Sequence, residues 1–289
     1  MPAMRSHRFP RLGLRRWLAV LLFVAVPFLA ANILTRLLLP DPDLRDLRNL
    51  IKTVVLVAAY WAYVHCSERR RVRELSVSGA GSELLAGLLL GGLLFTGVVG
   101  LLAAFGAYSI ESVGSFGDLG TVVASMLPKL ISGALIEEVL FRLLLLRLLE
   151  RSFGTAWALA LSSLVFGLAH LGNVGATPVV GILLGVELGL LFGAAYLVTR
   201  RLWFCAALHL TWNFMQGPVF SIAVSGQTGD AWLHGSLAGP TWLTGGAFGA
   251  EGSVVAVVLC LAATAVLFML AQRRRTNSPP ALVVNPQTS

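Results

Sequence analysis

Strongly apolar residues fall in long blocks separated by short polar breaks. The blocks lie at about 17–39, 50–66, 83–107, 121–147, 155–171, 178–199, 203–222 and 252–271. A helix needs about 20 mostly apolar residues to cross the hydrocarbon core of a bilayer, so the pattern predicts eight spanning helices. The second and fifth, at about 17 residues, must stand nearly upright or sit in thinned bilayer. The first follows a basic stretch, but its apolar run is long and Ala30-Ala31 is a poor cleavage site. It therefore reads as an uncleaved signal anchor.

The polar breaks carry charge in alternation. Arg5, Arg8, Arg11, Arg15 and Arg16 precede the first span, and Arg69, Arg70, Arg71 and Arg73 follow the second. Arg147 and Arg151 bound the fourth break, Arg200-Arg201 the sixth, and Arg273, Arg274 and Arg275 end the last span. Eight spans put these 16 of the 22 basic residues on one side. The positive-inside rule then places both termini in the cytoplasm. The opposite side holds Arg36, Arg45, Arg48 and Lys52 offset by Asp41, Asp43 and Asp46, and beyond them Glu111, Asp118, Asp230 and Glu251 without Lys or Arg.

Composition agrees. Hydrophobic residues are 56% and charged residues 12%, with a mean hydropathy of +0.80; a soluble domain carries about 25% charged residues. The fold class expected is all-α, a polytopic membrane helical bundle. The net charge of +8 would suggest nucleic acid on a soluble protein, but here it belongs to cytoplasmic loops, and no nucleic-acid partner is expected. Cys66, Cys205 and Cys260 have no metal spacing and read as small apolar fillers.

Four regions follow: an N-terminal two-helix membrane region with a basic arm (1–79), a membrane core (80–222), a Gly/Trp-rich loop with the last helix (223–275), and a Pro/Ser/Asn-rich tail (276–289) expected to be disordered. The loop contains Trp232, Trp242 and Gly245-Gly246-Ala247-Phe248-Gly249. It lacks the Lys-Ser/Thr of a phosphate loop and reads as an interfacial loop with Trp anchors; a re-entrant lid is the alternative.

Ionisable groups inside spans are expensive and become functional candidates. The fourth span holds Glu137, Glu138 and Arg142, with Lys129 nearer its outer end; the fifth ends in Phe166 to His170; the sixth holds Glu187; the seventh holds His209 and Asn213. Glu138 and Arg142 are four residues apart, so they share a helix face and can pair. Glu137 lies about 100° around the helix and is left without a local partner, poised to take and return a proton. His209 and Asn213 also share a face. Two chemistries fit: Glu137 activating a water that His170 helps to hold, with His209 and Asn213 stabilising an oxyanion; or His170, His209 and a glutamate holding a metal that activates the water. Glu187 has no evident partner. Gly181, Gly185, Gly189 and Gly193 form a four-residue ridge suited to close helix packing.

These residues resemble the CPBP family of intramembrane proteases, also called the CAAX-protease and bacteriocin-processing, or Abi, family. Its pattern of Glu-Glu-x-x-x-Arg, Phe-x-x-x-His and His-x-x-x-Asn on successive helices is matched by Glu137-Glu138 to Arg142, Phe166 to His170 and His209 to Asn213. The resemblance covers about 80–222 and implies a helical membrane core that cleaves peptide bonds. In the eukaryotic branch the substrate is a prenylated protein that loses its C-terminal tripeptide. By position, Glu137 looks like the water-activating base supported by Glu138 and Arg142, His170 a water-positioning or ligand residue, and His209 and Asn213 the oxyanion stabilisers. The expected function is an intramembrane endopeptidase of the bacterial inner membrane acting on a membrane-associated protein or peptide. A non-catalytic scaffold or bacteriocin-immunity protein on the same fold, and an ion- or proton-coupled transporter, are the alternatives.

Two further expectations follow. Glu137, His170, His209 and Asn213 should line one polar cavity reachable from the cytoplasm, although His170 lies at a different depth from Glu137 unless a helix or loop closes the gap. No cofactor is favoured. Zinc, with Glu137, His170 and His209 as ligands, is the alternative, because no carboxylate is evident to orient either imidazole from behind and Glu138 is committed to Arg142.

Overall fold

The computed structural model describes residues 13–277. Arg5, Arg8 and Arg11 of the basic arm and the tail from residue 278 onward lie outside them. In a bilayer the backbone must satisfy its own hydrogen bonds, and the apolar blocks accordingly form helices: α1 (Arg15–Leu38), α2 (Pro42–Ser67) and α3 (Ala80–Ala104). Next comes one helical stretch, Phe116–Leu168, 53 residues long. It breaks at Gly154, where φ is 76° and ψ 169°, a region open essentially to glycine alone; its limbs are α4 (116–153) and α5 (155–168). The chain continues with α6 (Pro178–Thr199), α7 (Leu202–Phe214) prolonged by the π-helical turn Met215–Val219, and α8 (Val254–Thr276).

Six stretches among the described residues are long and apolar enough to cross a membrane: α1, α2, α3, 116–168, α6 and α8. The molecule is a polytopic helical membrane protein. The fourth and fifth expected spans are the two limbs of one stretch, and the seventh corresponds to α7, which is not among the six. A small sheet departs from the all-α expectation. β1 (Tyr108–Val113) pairs antiparallel with β2 (Leu233–Leu237), running from Tyr108 opposite Leu237 to Val113 opposite Leu233, with an irregularity at Glu111. Its two strands come from breaks more than a hundred residues apart, so no local alternation announced it.

Glycines set the helix spacing. The expected ridge on α6 faces α5: a Cβ at Gly185 would stand 2.6 Å from the Ser163 carbonyl, and one at Gly189 2.8 Å from Ser163 Cα. Gly87 and Gly91 of α3 lie as closely against α7, 2.6 Å from the Phe204 carbonyl and 2.7 Å from that of Leu208. Cys205 and Cys260 are buried, as fillers should be, whereas Cys66 is exposed.

The arginine-rich breaks meet at one end of the bundle. Glu68 accepts from Arg147 at 2.7 Å, Arg70 at 2.7 Å and Arg151 at 3.0 Å. Arg70 also pairs with Glu74 at 2.6 Å, Arg200 pairs with Glu150, and Arg201 donates to the Ser76 and Ser78 carbonyls. Burial alone would raise the Glu68 carboxyl, but the surrounding guanidiniums overcome it and hold the group down at about 2.

The 223–253 segment gathers at the opposite end, where it is folded in rather than laid on the interface. Trp232 donates from its indole to the Gly114 carbonyl at 2.8 Å, and its backbone amide donates to Pro218. The Gly226 amide donates to the Phe248 carbonyl, and Phe248 is buried. Gly226, with φ 77°, presses on the Val174 backbone of the α5–α6 turn, where no side chain fits. Of the two expected Trp anchors, only Trp242 is largely exposed.

Candidate active site

The two limbs of the 116–168 stretch explain how His170 reaches Glu137. α4 does not end at Arg147 but runs on to the break at Gly154. Glu137 is 17 residues before that glycine and His170 is 16 after it. At about 1.5 Å per residue the two rise to nearly the same depth. A turn beyond Leu168 carries His170, and its ring is fixed there: Nδ1 donates to the Phe166 carbonyl at 2.8 Å. Nε2 is thereby left bare in the neutral ring and lies 3.8 Å from Glu137 Oε2.

His209 arrives from α7 with the same polarity. Its Nδ1 donates to Glu138 Oε1 at 2.8 Å, and its Nε2 lies 3.8 Å from the same Glu137 oxygen. One carboxylate oxygen of α4 thus faces an imidazole nitrogen from α7 and another from the turn after α5. Glu137 keeps 30% of its side-chain exposure, against 13% for His170 and 4% for His209.

Glu138 does more than the sequence suggests. It is fully buried and pairs with Arg142 at 3.1 Å while also holding His209. Arg142 is locked by donation to the Leu188 and Gly189 carbonyls at 3.3 Å, and its guanidinium lies 4.5 Å over the Phe166 ring and 5.2 Å over Phe192. Phe192 in turn stacks on His209 at 4.5 Å. Phe166 therefore serves its motif twice, as platform for Arg142 and as acceptor for His170. α4 widens into eight π-helical residues, Val139–Leu146, just past the glutamates. Gly185–Gly189 of α6 and Met215–Val219 after Asn213 do the same, the kind of local distortion often found at functional sites.

Glu137, His170, His209 and Asn213 all line one cavity of about 230 Å³. The sequence did not suggest its other polar walls: Asn49 of α2, Asn173, and Ser225, Gln227 and Glu251 of the 223–253 segment. Glu251 is fully buried and accepts from the Ser225 amide, while its second oxygen has no hydrogen-bond partner. Burial pushes its carboxyl above the usual range, against the opposing pull of Ser225 and the two histidines. Glycines hide this arrangement in the sequence, because they let an outlying acidic residue fold into the core. Glu187 does not line the cavity; it is buried beside Cys260, whose thiol donates to it at 3.7 Å.

The cavity lining runs away from the arginine-rich end, the end the sequence reading assigned to the cytoplasm. From Glu137 the α4 lining runs backward through Ile136, Gly133, Leu130, Lys129 and Met126, and that of α7 forward from His209 to Gly217. Both lead away from the arginine-rich end. The extra turns of α4 beyond Arg147 carry the glutamates deeper than the sequence spacing implied.

A zinc site asks for three ligands with oriented imidazoles. Contrary to the sequence reading, both rings are oriented from behind, His209 by the Glu138 carboxylate and His170 by the Phe166 carbonyl. The donor types suit zinc, but no group of three or more His, Cys, Asp or Glu among the described residues is arranged to hold a metal ion.

Residues 119–215 match the family model described as Rce1-like, type II CAAX prenyl endopeptidase Rce1-like. This stretch is Rce1-like. It contains all seven motif residues from Glu137 to Asn213, and over it the resemblance to the CPBP/CAAX-protease family holds. No curated protein and no solved structure matches the chain. The Rce1-like stretch takes in nearly all of α4, then α5, α6 and α7. Glu251 and Asn49 reach the same cavity from outside it.

Proposed function

We propose that the chain is an intramembrane endopeptidase that hydrolyses a peptide bond of a membrane-associated protein or peptide. The Rce1-like match points to a protease of the CAAX-endopeptidase type. The observation that carries the reading is the single Glu137 oxygen placed 3.8 Å from Nε2 of both His170 and His209, a gap suited to a water held between them. Glu137 takes a proton from that water while the bare Nε2 of His170 accepts its other hydrogen. The hydroxide adds to the scissile carbonyl, and the carbonyl oxygen becomes an oxyanion. His209, its Nδ1 fixed by the Glu138 carboxylate, donates to it from Nε2 when that nitrogen carries a proton. Asn213, one turn along the same helix, donates from its amide. Such donors are each typically worth about 3–4 kcal/mol in the transition state. The proton on Glu137 then passes to the leaving amine, and the C–N bond breaks.

By the positive-inside rule the arginine-rich end lies in the cytoplasm of a bacterial cell membrane, and the cavity faces the other side. The test is cleavage by full-length protein reconstituted in liposomes with a mixture of apolar peptides, products being read by mass spectrometry. Cleavage is expected, abolished by Glu137→Gln and surviving chelator. Identical peptide profiles for the two proteins would favour a non-catalytic scaffold. Near-stoichiometric zinc, with activity lost on chelation and restored by zinc, would replace the glutamate-water mechanism and leave the endopeptidase standing.

A further inference from the structure

Among the described residues, two carboxyl groups line the cavity: Glu137, and Glu251 from outside the Rce1-like stretch. The backbone holds Glu251 rigidly. It sits in the tight turn Ala250–Gly252, entered through Gly245 and Gly249 at φ 77° and 110°. A Cβ at Gly249 would collide with the Ala223 carbonyl. The turn leads into α8, whose start is capped by a different residue, Ser253, with Oγ accepting from the Ala256 amide at 3.1 Å. Glu251 is thus spare as a cap, and yet it is fully buried. Its Oε1 accepts from the Ser225 amide, while Oε2 has no partner.

The titratable groups that act on Glu251 or feel its charge are Glu187 of α6, Cys260 of α8, His170 after α5 and His209 of α7. Glu137 and Lys129 of α4 line the same cavity. No lysine or arginine among the described residues pairs with Glu251. Two buried carboxyls that act on each other with no cation between them do not both ionise readily. Burial raises the Glu251 carboxyl above the ordinary range, against the pull of Ser225 and the histidines. With Oε1 taken by an N–H donor, the proton belongs on Oε2, where it is a hydrogen-bond donor without an acceptor. We propose that Glu251 is a further catalytic residue, a neutral carboxylic acid whose Oε2–H donates to the carbonyl oxygen of the peptide bond under attack. The proposal rests on the endopeptidase reading. The bond strengthens as that oxygen gains negative charge, and the proton stays on Glu251. The leaving amine still takes its proton from Glu137. A carboxyl kept neutral by burial suits such donation, and a rigid turn spares reorganisation as the charge develops. An ionised Glu251 would instead repel the oxyanion, so its ionisation should stop turnover.

Two variants of the full-length protein in liposomes test this from neutral to alkaline pH. Glu251→Met removes the donor and should lower kcat about a hundredfold with little change in KM. Glu251→Gln keeps an N–H donor and cannot ionise. It should lose less than about tenfold and keep its turnover through the pH range in which the wild-type carboxyl ionises and wild-type turnover falls. Its amide oxygen also preserves the Ser225 contact, so it decides the matter if the Met variant does not fold. An alkaline limb identical in wild type and Glu251→Gln, or a Met variant with wild-type kcat, overturns the proposal. Binding of an apolar peptide aldehyde, whose hydrate imitates the tetrahedral intermediate, needs no turnover. It should weaken about a hundredfold in Glu251→Met, while binding of the same peptide ending in a methyl group stays unchanged. Equal losses for both probes would make Glu251 structural and overturn its role as donor. If the aldehyde shows the dependence but no peptide is cut, the endopeptidase reading fails and the carboxyl donor stands. If peptides are cut and both variants match wild type, the reading stands and the donor fails.

Discussion

The two ends of the bundle carry the same kinds of side chain and use them in opposite ways. At the arginine-rich end Glu68 is shared by three guanidiniums, and Glu74 and Glu150 each accept from arginine. At the cavity end Glu137 stands 3.8 Å from two imidazoles, beyond hydrogen-bond reach, Glu251 keeps an oxygen without a partner, and Lys129 makes no ion pair. Burial of charge is common to both, so it does not by itself mark a site. Unused hydrogen-bonding capacity is present at both ends, at Arg147 Nη2 and Glu83 Oε2 as at Glu251 Oε2, but at the cavity end it shares one cavity with Glu137 and both histidines, where something else can complete it. Glu138 lies between the two regimes: one oxygen takes both Arg142 and His209, the other has no hydrogen-bond partner, and it touches the chemistry through His209.

If the comparison is right, the largest effect belongs to Glu137→Gln. Turnover should fall about a thousandfold or more, with the melting midpoint in detergent unchanged, since no partner is stranded. A variant that melts early would place Glu137 among the structural charges and break the contrast. Next is Glu138→Gln, which leaves Arg142 as a buried cation without its counter-charge and His209 without its carboxylate. It should cost about 3 kcal/mol of stability and most of the activity. Retained activity in a destabilised protein would show that His209 does not depend on Glu138.

Asn213→Ala should lower kcat about a hundredfold while KM changes little, because the amide meets the oxyanion only as that charge forms. A change confined to KM would move Asn213 from the transition state to ground-state binding. The smallest effect lies at the other end, in the acid limb of stability. With its carboxyl held at about 2 against an ordinary 4.5, Glu68 contributes stability that is full above about pH 4.5 and lost as the pH falls toward 2. The difference in melting midpoint between wild type and Glu68→Gln should therefore shrink over that window. Activity of Glu68→Gln at neutral pH should match wild type, and a loss of turnover there would couple the two ends.

Much of this was legible in the sequence. Blocks of about 20 apolar residues admit few structures other than membrane helices, and the four-residue spacings of Glu138–Arg142, His209–Asn213 and the α6 glycines each define a helix face without knowledge of the rest. The depth of His170 was not legible. It depends on α4 running past Arg147 to Gly154, and polar residues such as Glu150 inside an otherwise helical segment gave no boundary. Nor was the second partner of Glu138, since a contact between residues 138 and 209 belongs to no local pattern.

The sequence alone determined that the protein is a helical membrane protein and which seven residues share its motifs, because helix periodicity and hydrocarbon thickness act within one segment at a time. Only the tertiary structure decided what those residues meet. It turned both Nε2 atoms onto one Glu137 oxygen, gave His209 a carboxylate and His170 a carbonyl to fix its ring, and carried Glu251 from a glycine-rich loop into the cavity wall. Each of these depends on the meeting of segments distant in the chain. Close packing at the glycines of α3 against α7 and of α6 against α5 sets the spacing of the helices that carry them.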